Sequence, residues 1–297
     1  MKLAERHWQR TGKFDKIRLD NQPAPQGVRE FTDIAYVEDG HKYHLLDVYR
    51  PENAEGKLPV IFDIHGGGWY YGDKELNKKY CMHLSLSGFA VVNISYRLAP
   101  EASFDKQVSD CFAALNWLNQ NADKYGLDIK NVFLTGDSAG GHLAGIVLNI
   151  LADEKLQKLF GVRSDIKIKA VGFTCPAFDI SKACRIPGAG LLYFRPIIGK
   201  GYRRSKYFKA ADFTAHISDK LPPCFIVTAY KDFLRKGVLK GYEKLKEKGV
   251  AVELVYYDKP TPSGNVLGHV FSVSQPWWEE SKEVNKKMVD FFGKYID

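Results

Sequence analysis

The sequence predicts an α/β fold in which a mostly parallel sheet is covered by helices on both faces. From residue 28 onward, segments with strand-like and helix-like patterns alternate along the chain. The strand-like segments are continuous apolar runs, such as "LPVIFDI" and "FAVVNI", which are typical of strands buried on both faces. In the stretch "NVFLTGDSAGGHLAG", residues 131–145, a buried strand leads through a very short glycine turn into an apolar helix.

The individual elements are predicted as follows. "REFTDIAYVED" and "HKYHLLDVYRP" form an antiparallel pair that turns at Gly40. Later strands are predicted at "LPVIFDIHGGG", "FAVVNISYRL", "NVFL", "IKIKAVGFTCPAFD", "PPCFIVTAYKD" and "AVELVYYDK". Helices are predicted at "KELNKKYCMHLSLSG", "SFDKQVSDCFAALNWLNQNADKYG", "HLAGIVLNIL", "KGVLKGYEKLKEKG" and "PWWEESKEVNKKMVDFFGKYI". Residues 1–27 and 181–217 fall outside this alternation, and we expect them to form a small cap on a single domain of residues 1–297.

Composition and charge restrict the class of protein. The 297-residue chain is 45% hydrophobic and 26% charged, as in a soluble globular protein. No apolar run approaches the ~18 residues of a membrane span, and the N-terminus lacks the apolar core of a signal peptide. Five scattered cysteines without C-x-x-C spacing favour free thiols in the cytoplasm and no metal site. The net charge of +8 comes with lysines that are spread over helices and loops. The basic stretch "GKGYRRSKYFK" at 199–209 is a candidate nucleic-acid or anionic-surface patch, but a solvated lysine-rich surface is favoured, and no nucleic-acid partner is expected.

The turn at 136–141 presents a single hydroxyl, that of Ser138, with Gly136 and Gly140 on either side. A serine in so tight a strand-to-helix turn must adopt a strained backbone, and side chains at the flanking positions would collide. The pattern therefore predicts a nucleophile elbow. A helix N-cap serine that follows a glycine turn is the alternative interpretation of this motif alone.

The candidate partners of Ser138 follow later strands. A serine hydroxyl is a good nucleophile only when a base takes its proton and a third group orients that base. Ligands of open α/β sheets bind at the C-terminal ends of strands, where Asp232 follows "CFIVTAY" and His269 follows the last predicted strand. Asp137 and Asp258 are alternative candidates for the acidic residue that orients the base. However, Asp137 would lie beneath the turn, and Asp258 comes one strand later than the usual position.

A glycine run, "HGGGW" at 65–69, ends another predicted strand. Glycines let backbone N–H groups approach the oxyanion of a tetrahedral intermediate without interference from side chains. A phosphate cradle is a weaker interpretation, because neither G-x-G-x-x-G nor the Walker lysine pattern is present. Several aromatic residues near these motifs are candidates for a substrate pocket and equally for ordinary core: Trp69, Tyr70, Tyr71, Tyr193, Phe194 and Phe233.

In combination these motifs resemble the hormone-sensitive-lipase-like carboxylesterases and acetyl esterases of the α/β-hydrolase fold. The resemblance covers roughly residues 28–297 and rests on "HGGGW", "YRLAPE", "GDSAGG", "DFLRKG" and "GHVF". It implies that Ser138 is the nucleophile, His269 the general base and Asp232 its partner. The chain departs from the family motifs at Phe233 and Val270, where proline and glycine are common.

The resemblance also implies an oxyanion hole made by the amides of Gly67, Gly68 and Ala139, with His65 as an anchor of the glycine loop. The predicted function is hydrolysis of short-acyl esters, acetyl to butyryl, through a Ser-His-Asp triad and an acyl-enzyme, without cofactor or metal. Crowded aromatics beside the glycine loop favour small acyl groups.

Other functions stay open at this level. Kynurenine-formamidase-like amide hydrolysis and deacetylation of sugar or xylan esters use the same chemistry. A receptor-like ligand-binding protein on the same fold is less consistent with the sequence, because His269 is present. The expected partner is a small-molecule ester, and "QPWWEE" at 275–280 is a candidate homodimer contact.

Overall fold

The computed structural model describes residues 2–178, 195–198 and 204–297, and its strands form an eight-stranded sheet. The strands are β1 Val28–Ala35, β2 Leu45–Pro51, β3 Leu58–Ile64, β4 Ala90–Ile94, β5 Leu127–Asp137, β6 Ile168–Thr174, β7 Cys224–Ala229 and β8 Val252–Tyr257. The helices are α1 Lys2–Asn21, α2 Lys78–Ser85, α3 Phe104–Tyr125, α4 Ser138–Ala152, α5 Glu154–Phe160, α6 Arg195–Ile198, α7 Lys206–Ala210, α8 Arg235–Glu247, α9 Phe271–Ser274 and α10 Glu279–Gly293. Two short 3₁₀ helices cover Lys74–Asn77 and Phe213–Ala215.

The strands lie in the order β1-β2-β4-β3-β5-β6-β7-β8. Strand β2 is antiparallel to both β1 and β4, and the other neighbouring pairs are parallel. The carboxyl ends of β3, β5, β6, β7 and β8 therefore meet at one edge of the sheet, where open α/β sheets bind their ligands. This architecture confirms the predicted fold class.

Both faces of the sheet are buried, as the continuous apolar strands require. Val60, Phe62 and Ile64 of β3 pack in a cluster with residues of α3 and α4. Ile61 points to the opposite face and packs in a second cluster with residues of α2 and α10. The alternation follows from the two-residue period of a strand, so every second side chain of β3 faces a different helical layer.

The elbow region differs in its boundaries from the sequence prediction. The prediction confined the strand to Asn131–Leu134 and began the helix at His142, whereas β5 extends over Leu127–Asp137 and α4 begins at Ser138. Gly140 lies in the first turn of α4, where a Cβ atom would be 1.9 Å from the carbonyl oxygen of Ile64. The glycine is therefore required for close packing of the helix on β3, and the turn is even shorter than the sequence predicted.

The N-terminal segment predicted as part of a cap contains the helix α1. Its Gly12 lies against Tyr71, since a Cβ at Gly12 would be 3.1 Å from the phenol ring. At its other end, the side chains of Arg18 and Gln22 both donate hydrogen bonds to the carbonyl oxygen of Ser274. Helix α1 thus contacts the segment after the glycine loop and the helix that follows His269.

Part of the second predicted cap segment, residues 181–194 and 199–203 of 181–217, lies outside the described residues. Residues 204–217 pack on α4, where the Asn149 side chain donates to the carbonyl oxygen of Phe213 at 3.0 Å. The division into one domain with a cap stays a prediction. Among the described helices, none combines the length and apolar character that crossing a membrane requires.

Candidate active site

The turn between β5 and α4 holds Ser138 in a strained conformation. Its φ angle is +51°, in the left-handed region that L-residues other than glycine rarely adopt. A Cβ at Gly136 would lie 2.7 Å from the backbone of Gly140, and one at Gly140 would collide with β3. The close backbone contacts explain why glycines flank the serine and why the turn exposes its hydroxyl.

The structure brings together the three side chains predicted as nucleophile, base and acid. His269 Nδ1 lies 2.7 Å from Asp232 Oδ1, and His269 Nε2 lies 2.9 Å from Ser138 Oγ. Since an ionised carboxylate only accepts, Nδ1 carries the proton, and Nε2 is then the acceptor for the serine hydroxyl. The rival acids Asp137 and Asp258 do not form this contact.

The carboxylate of Asp232 is buried and accepts several hydrogen bonds. Besides His269, its carboxylate accepts hydrogen bonds from the Leu234 amide at 2.9 Å and the Thr228 hydroxyl at 2.7 Å. Burial acts to raise the pKa of Asp232, but the contacts with His269, Leu234 and Thr228 outweigh it and hold the pKa below its usual value. Asp232 therefore remains ionised near neutral pH and can orient the imidazole.

The loops that carry Asp232 and His269 are linked beyond the ends of their strands. An isolated parallel bridge joins Lys231 to Gly268 and continues the β7–β8 pairing toward His269. The ring of Phe233 lies over the His269 imidazole, with 4.2 Å between the ring centroids. Phe233 is 76% exposed, so it covers the imidazole from the solvent side.

A buried carboxylate, that of Glu280 on α10, holds the loop before His269. It accepts hydrogen bonds from the hydroxyls of Thr261 and Ser263 and from the side-chain amide of Asn265, the last at 3.1 Å. Burial acts to raise the pKa of Glu280, but the three donors lower it to about 2. Glu280 thus ties the loop between β8 and His269 to the closing helix of the fold.

Glu280→Ala is expected to destabilise the protein by about 1–3 kcal/mol at pH 7, because three donors lose their acceptor. The depressed pKa makes this contribution complete above the unfolded-state pKa near 4.5, and it disappears as the pH falls through about 2. Thermal unfolding from pH 7 to pH 2 measures the difference between wild type and variant, which should shrink with acidification. Glu279→Gln is the matched control, since the Glu279 side chain is exposed and, in the described part of the chain, pairs only with Lys282. A Glu280→Ala protein as stable as this control at pH 7 would contradict the assignment.

The glycine run after β3 forms a tight loop beside the elbow. Gly67 and Gly68 have φ angles of +103° and +60°, and a Cβ at Gly67 would lie 1.9 Å from the carbonyl oxygen of Tyr71. No group in the described part of the chain accepts a hydrogen bond from the amides of Gly67 or Gly68. Ala139 lies in the first turn of α4, where N–H groups lack partners within the helix.

A buried polar network fixes this loop to the elbow, and sequence reasoning did not identify it. Asp137 Oδ1 accepts hydrogen bonds from the Gly66 amide and the Asn77 side chain, both at 2.9 Å. The Asn77 amide also donates to Asp63, which accepts from the Thr135 hydroxyl at 2.7 Å. Burial raises the pKa of Asp63 to about 7 and that of Asp137 above its usual value. The position of Asp137 beneath the turn agrees with the prediction, but its contact with the glycine loop was not foreseen.

His65, at the start of the glycine run, is neutral and packed. Its Nδ1 lies 2.7 Å from the carbonyl oxygen of Gly66, and its ring stacks on Tyr96 with 4.4 Å between centroids. Burial lowers the pKa of His65 to about 4. The Tyr96 hydroxyl donates a hydrogen bond to the His65 carbonyl oxygen at 3.0 Å, so the stacked Tyr96 and His65 rings stabilise the start of the glycine loop.

The predicted pocket aromatics have different environments. Trp69 is 8% exposed, and its indole N–H donates to His142 Nδ1 at 3.2 Å, so it packs mainly as core. Tyr70 packs partly against the same core, Tyr71 contacts α1, and Phe233 lies at the solvent side of the imidazole. Tyr193 and Phe194 lie outside the described residues.

The parallel sheet, the strained serine turn and the linked imidazole and carboxylate define the chain as an α/β-hydrolase. The family model BD-FAE matches residues 46–235, which is more than half of the chain. The protein therefore belongs to the BD-FAE family, among the α/β-hydrolase carboxylesterases.

Individual relatives agree with this family. The chain is 32% identical over 138 residues to the putative alpha/beta hydrolase R526 of Acanthamoeba polyphaga mimivirus, covering 46% of this chain and 40% of that protein. It is 30% identical over 217 residues to carboxylesterase NlhH of Mycobacterium tuberculosis, covering 70% of this chain and 66% of that one. The chain thus spans less than two thirds of either curated relative.

Among solved structures, esterase B of Lactobacillus Rhamnosis is similar over nearly the whole length. The TM-score is 0.92 at 31% sequence identity, with 99% of this chain and 94% of esterase B covered. Another structure of esterase B was determined with a C4-C4 SN3 tributyrin phosphonate inhibitor.

Proposed function

We propose that the protein is a serine carboxylic-ester hydrolase that acts on short-acyl esters. The observation that carries the proposal is the continuous chain of hydrogen-bonding atoms from Ser138 Oγ through the His269 ring to Asp232 Oδ1, with separations of 2.9 and 2.7 Å. A serine, a base and a buried acid in this order can generate a nucleophilic alkoxide at neutral pH.

In the proposed acylation step, Ser138 Oγ attacks the ester carbonyl while His269 Nε2 takes the hydroxyl proton. Asp232 keeps the imidazole in the correct tautomer and stabilises the imidazolium that forms. The tetrahedral intermediate then collapses, the bond to the alcohol breaks, and His269 returns its proton to the leaving oxygen. Water repeats the sequence on the acyl-enzyme and releases the acid.

We assign the oxyanion hole to the amides of Gly67, Gly68 and Ala139. The loop conformation supports this role, because the two glycine amides have no protein acceptor in the described part of the chain. Donors that are already oriented stabilise the charge without reorganisation, and the loss of one such donor typically costs about 10²–10³-fold in rate. The contact between Asp137 and the Gly66 amide supplies that orientation.

The proposed preference for acetyl to butyryl groups is supported by the aromatic residues that occupy the space around the glycine loop. Trp69 fills the core beneath the loop, and Tyr71 is held against α1, which covers this side. Esterase B, which resembles this chain at a TM-score of 0.92, was determined with a C4-C4 SN3 tributyrin phosphonate inhibitor and with a C6-C4 SN3 inhibitor. Long lipid chains would have to displace these aromatic residues.

The proposal is tested by initial rates on p-nitrophenyl esters from acetate to decanoate, followed by inactivation with a four-carbon p-nitrophenyl phosphonate. We expect kcat/KM to peak at acetate to butyrate, and the phosphonate to release one equivalent of p-nitrophenol and modify Ser138. Mass spectrometry of the peptide that contains Ser138 locates the adduct.

Two outcomes would overturn parts of this proposal. A rate maximum at ten carbons or more would contradict the short-acyl preference while leaving ester hydrolysis intact. A protein inert on every ester would contradict ester hydrolysis, and turnover of N-formylkynurenine would then identify an amide hydrolase with the same triad. Phosphonate labelling without any turnover would indicate a ligand-binding protein that retains a reactive serine.

A further inference from the structure

Cys175, at the end of β6, has an unusual backbone conformation. Its φ angle is +47°, and the residue is completely buried. Glycine is the residue that adopts this region without strain, and a side chain there persists only when its surroundings hold it in place. A cysteine at a position that favours glycine indicates that the side chain itself contributes contacts.

Those contacts are with the loops that carry the acid and the base. The Val270 amide, directly after His269, donates a hydrogen bond to Cys175 Sγ at 3.3 Å. The sulfur, a ring nitrogen of His269 and a carboxylate oxygen of Asp232 all lie within 4.8 Å of one another. Val270 is itself strained, with a φ angle of +53°. Two strained non-glycine residues therefore meet beside the imidazole.

The thiol keeps its proton in this environment. Burial and then the negative charge of Asp232 raise the pKa of Cys175 well above its usual value. The protonated sulfur accepts the hydrogen bond of the Val270 amide and lies within 4.8 Å of a carboxylate oxygen of Asp232. The thiol therefore packs beside a carboxylate whose hydrogen bonds are with His269, Leu234 and Thr228.

The residues after Cys175 contact the nucleophile as well. The Ala177 amide donates to the carbonyl oxygen of Ser138 at 3.0 Å. Pro176 packs against the elbow helix, since a Cβ at Gly141 would lie 2.9 Å from the proline ring. Cys175 Sγ and the Ala177 amide thus connect one short segment after β6 to the loops of the nucleophile, the base and the acid.

We propose that Cys175 is a positioning residue that holds the His269 loop and the Asp232 carboxylate in the correct position relative to Ser138. Its sulfur accepts the hydrogen bond of the residue after the base and packs beside the acid, so it fixes the two members of the pair relative to each other. The inference rests on the proposed ester hydrolysis, since it assigns a role within that mechanism.

The test compares Cys175→Ala, Cys175→Ser and Cys224→Ala in the full-length protein with p-nitrophenyl butyrate as substrate. Cys224, the first residue of β7, is a matched control, because it is also a buried free thiol, and in the described part of the chain its sulfur hydrogen-bonds to the Pro222 carbonyl and to no residue of the site. Cys175→Ala is expected to lower kcat by about ten- to a hundredfold at nearly unchanged KM, because a small misplacement of catalytic groups is that costly. Cys175→Ser retains a donor and an acceptor and should recover most of kcat.

A second readout separates positioning from stability. The low-field proton resonance of the His269–Asp232 hydrogen bond should shift or broaden in Cys175→Ala and stay unchanged in Cys224→Ala. Rates are divided by the concentration of active sites that react with the phosphonate, so unfolded protein does not lower the measured kcat. The inference is wrong if titrated Cys175→Ala has the wild-type kcat, or if Cys175→Ser is as slow as Cys175→Ala. Failure of the proposed function is distinct, because the wild type would then hydrolyse no ester.

Discussion

Replacing Ser138 with alanine is expected to lower kcat for short-chain esters by about 10⁵–10⁶-fold. The hydroxyl lies 2.9 Å from His269 Nε2, and the proposed acyl-enzyme cannot form without it. Residual catalysis would come from the oxyanion amides and from substrate binding alone. Initial rates on p-nitrophenyl butyrate measure the loss, with wild type and variant at equal concentration.

The same experiment needs a control that removes a buried serine without touching the mechanism. Ser272, on α9, is buried, and its hydroxyl has no hydrogen-bond partner among the described residues. Ser272→Ala should keep kcat within a few-fold of wild type, since substitutions without a lost partner are usually mild. If Ser138→Ala retained even a hundredth of the wild-type rate, the nucleophile would have to be another residue.

Gly140→Ala is expected to destabilise the protein strongly, because the first turn of α4 packs directly on the backbone of β3. The added Cβ would lie 1.9 Å from the Ile64 carbonyl oxygen and 2.4 Å from that of His65. Both atoms belong to the backbone at the end of β3, so relief requires movement of the helix away from the sheet. We expect a loss of about 3 kcal/mol or more in the free energy of unfolding, measured by denaturant titration.

Gly293→Ala provides the matched comparison for Gly140→Ala. Gly293 ends α10, and a Cβ there would meet nothing within 4 Å. Alanine should be neutral or stabilising by up to about 1 kcal/mol, because it has the higher helix propensity. Equal stability of the two alanine variants would show that α4 can move away from β3 at little cost.

The sequence predicted the sheet and the identity of the central side chains because both depend on short-range patterns. Apolar runs reveal strands that are buried on both faces, and the polar residues at strand ends then fall on one edge of the sheet. This reasoning selected Ser138, Asp232 and His269, which the structure brings within hydrogen-bonding distance. It selected Asp232 over Asp258 only by its position after an earlier strand.

The contacts that support these residues were not predictable in the same way. Asn77 links Asp63 to Asp137 across separate elements, and no local pattern distinguishes it from any other asparagine before a helix. Helix α1 has few apolar residues, and Phe14 remains 63% exposed, so no periodic apolar face indicated a helix. Cys175 could have been noticed, because it follows a strand at the same edge as the other site residues.

The hydrogen bond between Asp137 and Gly66 has a mechanical consequence. Asp137 immediately precedes Ser138, and its carboxylate holds the backbone one residue before Gly67. Ser138 Oγ and the amides of Gly67 and Gly68 are therefore attached to the same turn, and we expect a shift of the elbow to move both in the same direction. A substitution at a distant position of the sheet that shifts the elbow should then change the distance from Ser138 to His269 more than the distance from Ser138 to the glycine loop.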